Sequence, residues 1–312
     1  MDNLRGIALM IAAMAVFAVE DMFVKAASAS LPTGQIILGL GLGGGAIFAA
    51  LAALRGQRLV SRELLTRPVL IRNAGEALAT MSFVTALSLV PISVASAILQ
   101  ATPLAVTAGA ALFLGAPVGW RRWAAVVAGF LGVLLILRPG FEGFRPAALF
   151  AVIAVFGLAA RDLATRAMPA RVTSLQLSAW GFATLIPAGL ALLAVNGAPA
   201  VTDPRGLTLL AAAIGCGAFA YYAIVAAMRV GEIAVVTPFR YTRILFALLI
   251  GYLAFSERPD ALTLAGAALI VASGLYTLLR EARLARAARR PAASPVRPAT
   301  FGPERQETEP SP

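Results

Sequence analysis

The chain has 312 residues, 60% of them apolar and 13% charged, with a mean hydropathy of +0.84, a balance that excludes an ordinary soluble domain. Its net charge of +11 rests on arginines between apolar runs and in the C-terminal tail, with no aromatic-interleaved basic domain, so a nucleic-acid partner is excluded. With no histidine and one cysteine, Cys216, it offers no zinc or haem site and no intramolecular disulfide, and no cofactor is expected.

Ten runs are long and apolar enough to cross the roughly 30 Å hydrocarbon core of a bilayer as helices. They cover 6–25, 33–54, 69–90, 92–114, 121–138, 146–165, 174–196, 206–228, 233–255 and 260–280. The first carries Glu20 and Asp21 late, and the start Met1-Asp2-Asn3-Leu4-Arg5 lacks a cleavage pattern, so it reads as a retained helix. The second holds Gly39, Gly41, Gly43, Gly44 and Gly45, small-xxx-small patterns for close helix approach rather than a phosphate loop, since no Lys or Ser/Thr follows. The third opens on Arg72, Asn73 and Glu76, with Thr80 and Phe83 continuing their stripe. In the fourth, Ser93, Ser96, Gln100, Pro103 and Thr107 recur at helical spacing. The fifth and tenth are almost wholly apolar and read as scaffold or dimerisation helices. Arg161 and Asp162 end the sixth, the eighth carries Tyr221 and Tyr222, and the ninth carries Pro238, Phe239, Arg240 and Arg243. After residue 282 the chain turns charged and Pro-rich, and a disordered cytoplasmic tail is expected over 283–312. The first arginines there, Arg283, Arg286, Arg289 and Arg290, also suit a continued helix lying on anionic headgroups.

The second half repeats the first. Val16-Phe17 returns as Val155-Phe156, Asp21 as Asp162, Lys25 as Arg166 and Gln35 as Gln176, while Pro91, Gln100 and Pro103 fall opposite Gly231, Arg240 and Arg243. Two domains are expected, residues 1–140 and 141–282, each with five spans. An odd number turns the second copy over in the membrane, as in transporters built from inverted repeats with the substrate between them. The cations agree. The link after span two carries Arg55, Arg58, Arg62 and Arg67 and its counterpart one Arg; the link after span one carries Lys25 and its counterpart Arg166 and Arg171. Positive-inside logic then places both termini in the cytoplasm. With the symmetry inside one polypeptide, a monomer or weak homodimer is expected.

Charges deep in a span cost several kcal/mol unless they face protein or a wet cavity. Arg240, flanked by apolar sequence on both sides, is the clearest such group, and repeat symmetry pairs it with Gln100. Near helix ends, snorkelling explains Asp21, Arg72, Asn73 and Asp162 equally well. Pro103 and Pro238 can kink their spans and free carbonyls to face a lumen. Guanidinium, carboxylate and aromatic faces together suit a zwitterion such as an amino acid. The expected substrate contacts are Gln100, Arg240, Phe83, Thr80, Tyr222, Phe239, Ser96 and Phe17. Coupling or gating candidates are Glu20, Glu76, Asp162, Lys25, Arg161, Pro103 and Pro238. Ion pairs with Lys25, Arg72 and Arg161 account for the carboxylates equally well. An intramembrane enzyme would need a nucleophile set that the chain lacks, and a channel would show a continuous polar lining.

Two five-span halves, the segment from Leu87 through Pro91 and Ser93 to Ala97 leading to Pro103, and the Ser256-Glu257-Arg258-Pro259 link resemble the drug/metabolite transporter superfamily over about residues 4–282. Within it the chain is similar to EamA-type ten-helix exporters and to the aromatic amino-acid exporter branch known as YddG. Many relatives carry an acidic residue after each half's fourth span; Glu257 fits, whereas the first half has Gly115-Ala116-Pro117. The resemblance implies an all-α protein of the bacterial inner membrane. It would export amino acids and related metabolites by alternating access, with spans 1, 3, 4, 6, 8 and 9 around a central cavity. Coupling stays open: with no carboxylate at a clear mid-membrane position facilitated diffusion is favoured, and the alternatives are a proton-antiport drug/metabolite efflux pump or a passive channel.

Overall fold

Every backbone amide inside a bilayer must find its partner within the protein, and the apolar runs do so as helices. The structure, a computed structural model, describes residues 2–141, 143–168 and 172–288. The first half holds α1 (Asp2–Ala27), α2 (Thr33–Leu54), α3 (Arg67–Leu89), α4 (Ile92–Leu99), α5 (Thr102–Leu114) and α6 (Trp120–Leu137). The second holds α7 (Leu149–Arg166), α8 (Ser174–Asn196), α9 (Pro204–Val230), α10 (Ile233–Val236), a 3-10 segment (Thr237–Thr242), α11 (Arg243–Phe255) and α12 (Ala261–Ala288). Arg171 and residues 289–312, where most of the tail is expected, lie outside the described residues; α12 itself runs on to Ala288.

Nine segments among the described residues are long and apolar enough to span a membrane by composition alone. The tenth span is α3, whose opening turns carry Arg67, Arg72, Asn73 and Glu76 and so lose hydropathy. Its 23 residues reach across the core at about 1.5 Å per residue, and it packs on α7 and α8 rather than on lipid alone.

The fourth and ninth spans, expected to be single helices, are both broken. α4 ends at Leu99, Gln100 and Ala101 form a turn, and α5 restarts with Pro103 in its first turn, where a missing N–H costs nothing. In the second half, Pro238 opens the 3-10 segment between α10 and α11. The two breaks meet: Gln100 Nε2 donates to the Arg240 carbonyl at 3.4 Å.

Packing obeys the duplication. α1 lies on α9 and α7 on α3; α2 lies on α8, α6 on α12, and α4 on α11. Exchanging the halves maps each of the first four of these pairs onto another or onto itself, as a pseudo-twofold axis requires, whereas α4 on α11 has no such counterpart between α10 and α5 among the main contacts. Glycines allow the close crossings. A Cβ on Gly75 would stand 2.8 Å from the Gly157 carbonyl, and one on Gly132 would stand 2.7 Å from that of Gly266.

Loop contacts sort onto two faces, as ten alternating spans demand. On the face of the N terminus (the N face), Asn3 Oδ1 accepts from Glu232 N–H, Gln176 donates to Arg58 O and Trp180 Nε1 to Leu59 O. On the opposite face, Gln35 exchanges two bonds with Val201, Ser30 donates to Asp203, and Arg138 pairs with Asp260. Gln35 and Gln176, repeat-related in sequence, thus each tie a helix start to the other half's loop. Hydrogen bonds from Ser30 and the Gly206 N–H hold the Asp203 carboxyl below its ordinary range, and Arg138 does the same for Asp260.

Candidate functional site

A cavity with about 160 Å³ open to water-sized molecules lies between α1, α2, α3, α7, α8 and α9. Phe17 and Glu20 reach it from α1, Leu40 from α2, and Arg72, Glu76 and Thr80 from α3. Arg161 enters from α7, Ser178, Phe182 and Leu185 from α8, and Gly217 and Tyr221 from α9. Buried Phe48 fixes two of its aromatic walls, stacking on Phe182 at 5.5 Å between centroids and meeting Tyr221 edge-on at 5.0 Å.

Its charges are arranged, not scattered. Toward the N face, Glu76 lies 3.3 Å from both Arg72 and Arg161, and Arg161 also pairs with Asp162 at 2.8 Å. Arg72 is only 5% exposed and donates to Leu177 O at 2.8 Å and Asn73 Oδ1 at 3.1 Å, joining α3 to α8. Charge-assisted contacts of this kind offset the cost of removing the ions from water. Deeper in α1 the pattern changes. Glu20 makes no hydrogen bond or ion pair among the described residues, and its Oε1 would stand 2.6 Å from a Cβ on Gly217, so the glycine makes room for it. Asp21, the next residue, turns away and takes both oxygens to Arg243 Nη2 at 2.9 and 2.7 Å. That guanidinium lies 5.2 Å from the Phe17 ring centre and 5.6 Å from that of Phe83. The cavity therefore has the Arg72–Glu76–Arg161 cluster at one end, the Glu20 carboxyl, without a direct ion pair among the described residues, toward the other, and aromatic faces between. Such a site can hold a solute with separated charges and a flat body. No cluster of three potential metal ligands occurs among the described residues.

Of the residues expected to meet substrate, Phe17 and Thr80 line the cavity; of the coupling candidates, Glu20, Glu76 and Arg161 do. Gln100 and Arg240 meet at the helix breaks, outside this lining. Ser96 buries a hydroxyl with no protein partner, and Phe239 packs against the Met10–Val236 cluster. Phe83 serves Arg243, Asp162 serves Arg161, and Lys25 binds the last carbonyls of α3. Tyr222 is 59% exposed on the outer surface; its neighbour Tyr221 faces inward. The correction at element level is that spans 2 and 7, not 4 and 9, complete the lining. Glycines draw α2 onto α8 so closely that a Cβ on Gly41 would lie 3.0 Å from the Phe182 carbonyl, and Leu40, Phe182 and Leu185 come inward together. A signal for Tyr221 existed: it stands four residues after Gly217 on the small-residue face of α9 that includes Ala213 and Gly217, one helical turn along.

The sequence pattern of the EamA-like transporter family matches twice, over residues 4–138 and 145–279. The riboflavin transporter of Rhizobium johnstonii is 34% identical over 221 residues, 70% of each chain. The S-adenosylmethionine uptake transporter of Rickettsia bellii is 25% identical over 62% of this chain and 66% of its own. The pseudopaline exporter of Pseudomonas aeruginosa is 27% identical over 85% of this chain and 93% of its own. A solved crystal structure, 20% identical, superposes with a TM-score of 0.57 over 91% of this chain and 99% of its own, showing the same fold. With nine apolar membrane-length segments among the described residues and two matching halves, the chain is a multi-pass membrane transporter and belongs to the EamA-like transporter family.

Proposed function

We propose that the chain exports amino acids, aromatic ones among them, and related small metabolites across a bacterial inner membrane by alternating access, with both termini cytoplasmic. The observation that carries this reading is the polarised cavity. A zwitterion with a flat side chain places its carboxylate toward Arg72 and Arg161, its ammonium toward Glu20, and its ring against Phe17, Phe182 and Tyr221. Relatives named for riboflavin, S-adenosylmethionine and pseudopaline widen the set of solutes to be screened. The test is competition for counterflow in proteoliposomes, with aromatic amino acids, riboflavin and S-adenosylmethionine as competitors. Inhibition by the amino acids supports the reading, and inhibition by the other solutes alone overturns the amino-acid assignment.

Facilitated exchange suits a site whose other carboxylates are paired. One observation favours a second reading, proton antiport: Glu20 alone among the cavity carboxylates lacks an ion pair among the described residues. Glu20→Gln separates the two. A proton carrier keeps counterflow and loses uptake driven by a pH gradient; a substrate contact loses affinity in both assays.

A further inference from the structure

Each fourth span ends in the same left-handed cap. Gly115 (φ 64°) closes α5 and the Ala116 N–H returns to Ala110 O at 3.1 Å; Ser256 (φ 52°) closes α11 and the Glu257 N–H returns to Gly251 O at 2.9 Å. A serine tolerates that backbone poorly, yet it aims the next side chain out of its own half. The Glu257 carboxylate accepts from Ile92 N–H at 2.7 Å, Ser93 N–H at 3.1 Å and Ser93 Oγ at 2.7 Å. These are the first donors of α4, which Pro91 leaves without a side-chain cap. The corresponding position of the first half is Ala116, and at the start of α10 the Glu232 N–H donates to Asn3 Oδ1 at 2.8 Å.

Lys25 holds the other side of the same corner. Its Nζ donates to Leu87 O at 3.0 Å and Val90 O at 2.6 Å, the end of α3. An anion from the second half thus caps α4 while a cation from the first caps α3, both aligned with the helix dipoles. Around them Val24, Leu31, Val84, Leu87 and Val90 are buried as part of the main apolar core.

We infer that Glu257 is the latch of that face: a positioning residue that docks the second half on α4 while this side is shut and releases it when the cavity opens there. The inference rests on the carrier reading of the cavity. The first half carries Ala116 where the second has Glu257, so the two openings differ in the contacts they must break.

Two measurements on full-length variants in a Cys216→Ser background test it. In the first, Thr80→Cys reports cavity access to a membrane-impermeant maleimide in vesicles of either orientation. Adding Glu257→Gln raises labelling from the face opposite the N terminus roughly tenfold, the weight of one charge-assisted hydrogen bond, with labelling from the N face unchanged or lower. Unchanged labelling, or an equal rise from both faces, overturns the latch. In the second, Ser93→Cys and Glu257→Cys are joined by a short reducible bis-thiosulfonate. Bridging stops counterflow and reductant restores it; counterflow that persists while bridged overturns the latch. The labelling arm needs no substrate and decides the latch even where the double-cysteine chain is inactive. Absence of counterflow in the unmodified chain strikes the carrier reading instead.

Discussion

Glu20 and Asp21 show how far one residue step separates two roles. On a helix they point about 100° apart, so Asp21 reaches Arg243 while Glu20 faces the cavity. The sequence places both carboxylates in the membrane but does not reveal which has a partner, because the partner of Asp21 lies 222 positions away. Arg161, by contrast, binds its own neighbour Asp162 as well as Glu76. Arg161→Gln leaves Glu76 with Arg72 alone and is expected to cost about 3 kcal/mol of stability, measured by thermal unfolding in detergent. Glu76→Gln in the same chain should recover part of that loss through the coupling between them. Strictly additive losses would show that the pair is not coupled. Glu20→Gln is expected to leave the unfolding temperature within a degree or two of the parent, since Glu20 makes no hydrogen bond or ion pair among the described residues.

At the scale of elements, apolar period and length located helices at all ten expected positions; nine segments among the described residues are long and apolar enough to span, and α3 falls short because its early charges lower its hydropathy. The breaks in spans four and nine were only half legible. Pro103 and Pro238 announce a kink, but whether the chain restarts as α-helix or passes through a 3-10 segment depends on how the two breaks pack together. Likewise the glycines predicted close packing without naming the partner helix, and the lining by α2 and α8 followed from that partner. Gly157→Leu is expected to destabilise by about 1–3 kcal/mol and to abolish transport, because its side chain would enter the backbone of α3 near Gly75 and Ala79. Wild-type stability in that variant would mean that α3 and α7 do not cross there. Arg138 and Asp260 tie α6 to the start of α12 on the opposite face. Arg138 keeps the Asp260 carboxyl below its ordinary range, so its contribution is present above about pH 4 and fades only as pH falls through the lowered value. Asp260→Asn should therefore show a constant deficit in unfolding temperature from pH 7 to about pH 4, narrowing at more acid pH. A deficit that narrows already near neutrality would contradict that assignment.

Over the whole molecule, the duplicated sequence becomes an exchange symmetry of packing with an asymmetric interior. Gln100 faces the carbonyl of Arg240, Ala116 stands where the other half has Glu257, and the cavity carries Glu20 from the first half without an equivalent carboxylate from Ala159 or Arg161. Ten spans put the start of α1 and the end of α12 on one face, and reporter fusions at the two termini should give the same sidedness; opposite sidedness would remove one span from the account. The central claim is that this cavity is the path of a carrier, and the adjacent tyrosines of α9 test it most directly. Counterflow in proteoliposomes should be saturable and trans-stimulated. Tyr221→Ala, which strips a cavity wall, should weaken apparent affinity roughly tenfold, and Tyr222→Ala, on the outer surface, should match the parent. Flux that rises linearly without trans-stimulation, or equal behaviour of the two variants, would contradict it.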